Sequence, residues 1–542
     1  MPDWLHRRIP IPLPAAAAAL LVAAFLVPGL IGHAPWKTED AVGFGVVWQM
    51  LADGRWLTPH LAGEPWFDDG PLYFWVAALF TKVLAFALPP HDAARFASAA
   101  FVLLALWFVR LASRELYGRV QGDLSALAFM GCVGLMWHAH EVAAETAMLA
   151  GLAAAYYGLA IAHKKPLKGG LMFGGGAAVV FLAKGLAAVA QPLLAALLVL
   201  PLSALGHARP YSLAVAIGLA VLAPFAIAWP AALAYTAPDY FSGWLAWQRA
   251  SVSGPVSGAS ALELAKLLAW AAWPVWPLTL WASWAYRRHL RDPGFAVPFV
   301  GTIVALGLLL LAGADREMEA LAILVPLAIP AGSAAIALRR GAANALTWFS
   351  LMTFTLIAAV TWVMWFAMMT GVPERIARNV MKLVPGFVPQ LDWLPIAAGL
   401  TLTLGWLVLV TRCDRSTLRS IPFWTAGIAL TWGLATTVWI AWIDHGKSYA
   451  TVGAALAKAL PAKVACVESR GLGETQRAAF HYHAGLVTLR SEIHGRTKCP
   501  YLLVQSTAAE PGAEPGREWR RVWEGARPRD RERYRLYRRV TG

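Results

Sequence analysis

Charge is scarce in this chain. Asp, Glu, Lys and Arg make up 14% of 542 residues, against roughly 25% in an ordinary soluble protein, so a water-solvated surface cannot cover it. Cysteine is also scarce, with four residues at 132, 413, 466 and 499. No two of them stand in C-x-x-C spacing, which removes thiolate metal and thioredoxin-type redox readings. No G-x-G-x-x-G, Walker or H-E-x-x-H pattern occurs, so dinucleotide, P-loop and zincin chemistry have no foothold.

What is present is hydrocarbon and tryptophan. Hydrophobic residues reach 58%, the mean hydropathy is +0.55, and 27 Trp suit a chain that crosses the membrane–water boundary many times. After a short basic start (His6, Arg7, Arg8), apolar runs recur near 13–31, 72–90, 96–112, 123–138, 144–162, 170–186, 188–205, 211–230, 262–285, 296–312, 319–337, 345–370, 395–411 and 421–443. Several approach the roughly 20 residues that span a bilayer as a helix. The first run reads as a retained helix, not a signal peptide, because so many follow it. The net charge of +15 does not indicate nucleic acid. Its basic residues cluster in loops at 163–168, 206–210, 287–291, 339–340 and 412–419, the positive-inside pattern, and again near the C-terminus.

With those loops cytoplasmic, the segments 32–70, 231–261, 313–318, 371–394 and 444–542 lie outside. An inside start and an outside end need an odd number of spans. The fourteen runs therefore predict about 13 transmembrane helices, with one run between 72 and 162 falling short. The expected fold is mainly α and polytopic. Residues 1–443 form a transmembrane domain that includes the 32–70 loop, and 444–542 form a small periplasmic α/β domain, with strands expected at 464–467, in "LVTLR" and in "CPYLLVQS". Cys466 and Cys499 share that region, where a disulfide is allowed. Gly174–Gly176, inside an apolar run, suit close helix packing better than phosphate binding.

Ionisable residues near hydrocarbon are costly and so mark function by default. Glu39 and Asp40 follow Thr38 at an expected helix start, where capping and the helix dipole offer a bland alternative. Asp68 and Asp69 precede Gly70-Pro71, either as a solvated turn or as part of a site. Glu141 and Glu145, four residues apart, are expected on one helix face. His138 and His140 beside them are half a metal site without a third ligand. Lys184 sits in "VVFLAKGLAAVAQPLLA", where snorkelling is the alternative. Arg249 and Arg316 lie on outer loops, the latter with Asp315, Glu317 and Glu319, and both also fit plain solvated charges. Three basic groups on one side suit a phosphate; carboxylates beside them suit deprotonation of a hydroxyl. Trp36, Trp48 and Trp66 offer either sugar-stacking faces or interfacial anchors.

At these residues the sequence resembles the bacterial aminoarabinose lipid A transferases and their protein O-mannosyltransferase relatives, membrane glycosyltransferases of the GT-C type. "EDAVGFGVVWQMLADGRWLTPHLAGEPWFDDGPLYFW" is similar to their first loop, "DAARFASAA" with "SRELYG" to the next stretch, "FLAKG" to a Lys-Gly motif, "WPVWPLTLW" to a Trp/Pro segment and "ETQRAAFHYHAG" to a motif in the soluble tail. The resemblance implies an inverting transferase of the bacterial inner membrane with its active site facing the periplasm. Its donor would be a polyprenyl-phosphate-linked sugar and its acceptor a lipid, glycan or protein. It implies catalytic roles for Glu39, with Asp40 beside it, and for Glu145. Lys184, Arg249 and Arg316 would hold the donor phosphate, while Asp68, Asp69, Tyr73 and Glu141 would line the substrate site. No cofactor is certain, and a divalent cation is left open. The chain departs from the pattern in having Glu at both acid positions, an Asp pair before "PLYFW", and "WLAWQR" without the usual His. Aminoarabinose and lipid A are therefore not assumed. A lipid transporter or a non-catalytic scaffold are the competing readings. A transporter is expected to show repeated halves, and no convincing internal repeat is visible.

Overall fold

The computed structural model describes residues 13–202, 209–251, 258–312, 317–461, 464–495, 497–507, 515–528 and 530–540. Its framework is helical. Among the described residues, seven helices are long and apolar enough to cross a bilayer: Pro90–Tyr117, Pro166–Lys184, Arg209–Thr236, Gly294–Ala312, Glu319–Ala337, Arg340–Thr370 and Trp393–Arg412. Thr417–Ala435 and Ile440–Lys447, bent by 67°, add an eighth if they form one span. Shorter apolar helices include Leu72–Leu84, Glu145–Ile161 and Leu186–Leu202.

The difference from the expected thirteen lies in runs that fold as short or broken helices. The 123–138 run splits into Arg119–Met130 and Val133–His138 around Gly131 and Cys132. The 262–285 run splits into Gly258–Ala271 and Val275–Ala285, with Pro274 at the N-cap of the second. Summed hydropathy cannot register such breaks.

Glu145–Ile161 is the centre of the bundle, and all 17 of its residues are buried. Small residues make this possible. A Cβ on Gly176 would lie 2.5 Å from the Gly151 carbonyl oxygen, and one on Gly174 would lie 2.3 Å from that of Gly218, whereas Gly175 meets nothing. Two of the three glycines therefore let backbones approach, as is common where lipid supplies no hydrophobic driving force. The outer helix Arg340–Thr370 exposes Trp348, Met352, Leu356 and Phe366, a face suited to acyl chains.

The polar tail folds on a five-stranded mixed sheet. Strands β1 (His60–Leu61) and β2 (Glu64–Pro65) form a separate hairpin in the first loop. The tail contributes β3 (Val467–Arg470), β4 (Leu489–Arg490), β5 (Tyr501–Thr507), β6 (Trp519–Gly525) and β7 (Glu532–Arg539), in the order β4-β3-β5-β7-β6. β3 is parallel to both its neighbours, and the pairs of β7 are antiparallel. Cys466 and Cys499 form a disulfide. Helix Glu474–Ala484 packs Phe480 on Tyr534 of the sheet and Tyr482 on Phe44 and Trp48 of the first-loop helix.

One buried ion cluster ties the first loop to the bundle. Arg95 has no exposed surface. Its guanidinium donates to Asp40 at 2.6 and 3.2 Å, to Asp92 at 2.8 Å and to the carbonyls of His33 and Ala34 at 3.0 and 3.2 Å. Removing the cation strands two buried carboxylates, which costs about 3–5 kcal/mol. Arg95→Met is therefore expected to lower thermal stability in detergent by a correspondingly large amount; an unchanged melting temperature would contradict the role of this cluster.

Candidate active site

The polar groups converge on a cavity of about 600 Å³. Its walls come from the first loop (Lys37–Glu39 and Pro65–Asp68), from Trp137, His138, Glu141 and Glu145, from Lys184 and Trp247, from Glu317–Glu319, and from Glu474 of the tail. Among the described residues, seven carboxylates thus face two ammonium groups. That imbalance governs the chemistry of the site.

Glu39 is the first residue of helix Glu39–Asp53. Thr38 occupies the N-cap position, but its side chain makes no capping bond, so the bland capping role does not apply. Burial, reinforced by Glu145, Glu141 and Asp69 and opposed by Lys184, pushes the Glu39 carboxyl up to about 8. Desolvation here outweighs the helix N-terminus, which favours the anion.

Asp40 points the other way. It is 1% exposed, lies outside the cavity wall, and holds Arg95 and the Val142 backbone N–H at 3.0 Å. Glycine at position 43 permits this contact, since a Cβ there would come within 1.8 Å of the Val142 carbonyl oxygen.

Glu141 does not share a helix face with Glu145, because the helix begins at Glu145. Tertiary partners take the backbone before it: Asp40 binds Val142, and the Ser98 hydroxyl donates to the Glu141 carbonyl at 2.5 Å. Both carboxylates nevertheless reach the cavity. Glu141 accepts the Trp137 indole N–H at 2.6 Å and pairs with His138 at 2.7 Å. Tyr73 is fully buried with its phenol on Ser98 at 2.6 Å, a place from which it supports the Glu141 segment without lining the cavity.

Lys184, 6% exposed, ends its helix against three carboxylates. Its Nζ lies 2.6 Å from Asp69, 2.8 Å from Glu145 and 3.3 Å from Asp68. It does not snorkel. The 66–70 segment lies flat on the helix end, with the Gly70 N–H on the Ala183 carbonyl at 2.7 Å. Burial pushes Asp69 up to about 7, with Asp68 and Glu145 adding to it against the pull of Lys184. One ammonium cannot neutralise three carboxylates, and burial beside like charges favours the protonated form of Asp69.

The remaining expected residues scatter. Arg249 is exposed on the last turn of Pro238–Ala250, while its neighbours Trp247 and Gln248 line a narrow cleft. Arg316 and Asp315 lie outside the described residues; Glu317 and Glu319 of the same loop line the cavity. His140 bonds the carbonyls of Phe25 and Met136, apart from His138, and among the described residues no three His, Cys, Asp or Glu are arranged to hold a metal ion. Trp66 lines the cavity and donates to Asp69, Trp48 packs against the tail, and Trp36 lines an adjacent pocket. Sequence reasoning missed Trp247 and Glu474, although both lie in stretches singled out for resemblance, "WLAWQR" and "ETQRAAFHYHAG".

The narrow cleft, about 70 Å³, shares Asp68, Lys184, Trp247 and Glu319 with the cavity. It continues between Met148, Ala188, Leu308 and Leu309. A polar chamber thus opens onto an apolar slot beside apolar helices long enough to cross a bilayer, within a fold that other proteins share. Two solved structures share it: ArnT from Cupriavidus metallidurans bound to undecaprenyl phosphate (TM-score 0.68) and the same protein in the apo state (0.66). Each is 15% identical, and each alignment covers 96% of this chain and 97% of that one. A family model described as dolichyl-phosphate-mannose-protein mannosyltransferase matches residues 68–229, the stretch holding the Asp pair, Glu145 and Lys184. No curated protein matches the sequence.

The tail is fastened beside the site by ion pairs. Lys37 meets Glu532 at 2.7 Å, and Arg477 and Arg490 meet Glu64 at 2.7 and 3.1 Å. Burial raises the Glu532 carboxyl, but hydrogen bonds from Lys37, Tyr534 and Gln476 outweigh it and bring it from 4.5 down to about 2. A depressed carboxyl contributes stability above its unfolded value and loses it as pH falls through the folded one. Docking of the tail is thus expected to loosen between about pH 4.5 and 2. Hydrogen exchange of 532–539 and of the 37–39 segment should rise together over that window, and Glu532→Gln should raise both already at neutral pH.

Proposed function

We propose that the protein is an inverting glycosyltransferase of the bacterial inner membrane that moves a sugar from a polyprenyl-phosphate donor to a lipid, glycan or protein acceptor on the periplasmic face. The observation that carries this reading is the junction at Lys184, where an apolar cleft runs into an acidic chamber. The prenyl chain would lie in the cleft with its phosphate at Lys184 and its sugar in the chamber. The undecaprenyl phosphate bound to ArnT supports this ligand class.

The phosphate must displace a carboxylate from the ammonium. Asp68 is the one placed to yield, being the farthest of the three from Lys184 and a third exposed, against 11% for Asp69 and 7% for Glu145. Arg249, next in sequence to the cleft residues Trp247 and Gln248, would add positive charge, and Arg316, outside the described residues, is assigned the same role. Glu39 acts as the base. The acceptor O–H gives its proton to the Glu39 carboxylate, the acceptor oxygen forms a bond to the anomeric carbon, and that carbon's bond to the phosphate oxygen breaks. The electron pair leaves on the polyprenyl phosphate, where Lys184 stabilises the growing charge. Single displacement inverts the anomeric centre. Asp40, through Arg95 and Val142, positions Glu39 and Glu141. Glu145 and Asp69 hold Lys184 in place, and Glu141 orients the acceptor.

The test is sugar transfer from a radiolabelled polyprenyl-phosphate sugar in proteoliposomes. Glu39→Gln is expected to lower it by ~10²–10⁴-fold with membrane insertion unchanged; full activity in this variant would refute the assignment. A base held near 8 is available only above that pH, so wild-type transfer should climb between pH 6.5 and 8.5. The residual rate of Glu39→Gln should stay flat. Lys184→Met should weaken undecaprenyl phosphate binding by about tenfold or more, the worth of a charge-assisted hydrogen bond, as read by calorimetry in detergent.

A further inference from the structure

The first-loop helix Glu39–Asp53 is gripped on two sides, and glycine makes both grips close. On one side a Cβ at Gly43 would fall 1.8 Å from the Val142 carbonyl oxygen of the bundle. On the other, a Cβ at Gly45 would fall 2.6 Å from the Cβ of Ala478, in the tail helix Glu474–Ala484. The helix that begins with Glu39 therefore takes its place from the tail as well as from the bundle.

Tyr482 completes the grip of the tail. Its ring stands edge-on to Phe44 and Trp48, at 4.8 and 5.0 Å between ring centres. Those two rings are four residues apart and share one face of the first-loop helix. The Tyr482 phenol oxygen lies 2.9 Å from Nδ1 of His91, in the first turn of helix Pro90–Tyr117. The other ring nitrogen of His91 faces Asp92 at 3.7 Å. Asp92 holds Arg95, and Arg95 holds Asp40, the neighbour of Glu39. Polar contacts thus run from the tail to the start of the helix through residues that are all buried or half-buried, where water competes weakly for a lost partner.

We propose that Tyr482 and His91 are a pair of positioning residues through which the docked tail sets the place of Glu39. The role of Glu39 as base rests on the transfer reaction proposed above; the link from tail to helix does not. Neither residue of the pair lines the chamber, so their effect passes through the helix. The Arg95 cluster secures the first turn of that helix from the bundle side. Tyr482 secures the next two turns from the tail side, and its bond to His91 joins the two anchors. A shift of about 1 Å in a reacting group can cost on the order of 10²-fold in rate, so a helix loosened on one side would slow transfer without any substrate contact being removed. The Glu39 carboxyl reports the same movement. Burial is the main cause of its rise to about 8, and a helix that swings toward water returns it toward 4.5.

The full chain in lipid nanodiscs tests the link by hydrogen exchange. Tyr482→Phe keeps the ring and removes the hydroxyl. Exchange of residues 39–47 is expected to rise about fivefold, the worth of one hydrogen bond, while 145–161 keeps its wild-type rate. His91→Phe should do the same, and the double variant should do no more than either alone, because the pair is lost only once. Transfer from a polyprenyl-phosphate sugar in proteoliposomes is the second readout. Tyr482→Phe should lower kcat about tenfold with donor KM within about twofold, and its rate should begin to climb at a lower pH than that of the wild type. Unchanged exchange, or effects that add in the double variant, would overturn the link. Faster exchange with wild-type kcat and pH profile would overturn the positioning of Glu39. Faster exchange in a protein whose wild type transfers nothing would support the link and refute the transferase reading instead.

Discussion

The arrangement of the chamber depends on one buried ammonium shared among three carboxylates. Lys184 closes its helix against Asp69, Glu145 and Asp68, so three chain segments that are remote in sequence must meet at one nitrogen. Each partner left alone there would be an uncompensated charge beside hydrocarbon, at a cost of several kcal/mol. The geometry is therefore fixed by what separation would cost more than by what contact gains. Arg95 repeats the device on the far side of the first-loop helix, holding Asp40 and Asp92.

The excess of acid over base has a second effect. Carboxylates crowded into a partly desolvated space raise one another, and Glu39 with Asp69 bears most of that pressure. A base is useful when its affinity for a proton lies near the working pH. In this chamber the raised Glu39 carboxyl owes most to burial, and neighbouring carboxylates add to it. On the proposed reading, an incoming phosphate would meet the same field and compete for Lys184, which would link donor binding to the protonation of the cluster.

Much of this could be read from the chain because charge is conspicuous against hydrocarbon. Glu39, Asp68, Asp69, Glu141, Glu145 and Lys184 stand out in apolar surroundings, and the structure brings all of them to one place except Asp69, which backs the wall through Lys184 and Trp66. What could not be read depends on partners that sequence spacing does not reveal. Asp40 turns inward because Arg95 waits 55 residues away. Glu141 leaves the helix of Glu145 because Ser98 and Asp40 claim the backbone around it. Tyr73 is drawn into the core by the same Ser98. The broken runs near Gly131 and Pro274 look continuous to a hydropathy sum because a break removes no apolar residue. Glu474 was hidden for a different reason: its helix belongs to the tail, and only docking carries it to the chamber.

That docking sets an order of events. Glu474, Pro528 and Glu532 are made after every membrane-crossing helix, yet the first two wall the chamber and its neighbouring pocket and the third clasps Lys37 beside Glu39. A chain still emerging has its bundle but no enclosed reaction volume. A bundle without its docked tail lacks the wall that Glu474 supplies and the clasp of Glu532 on Lys37, so the same acids would stand open to water.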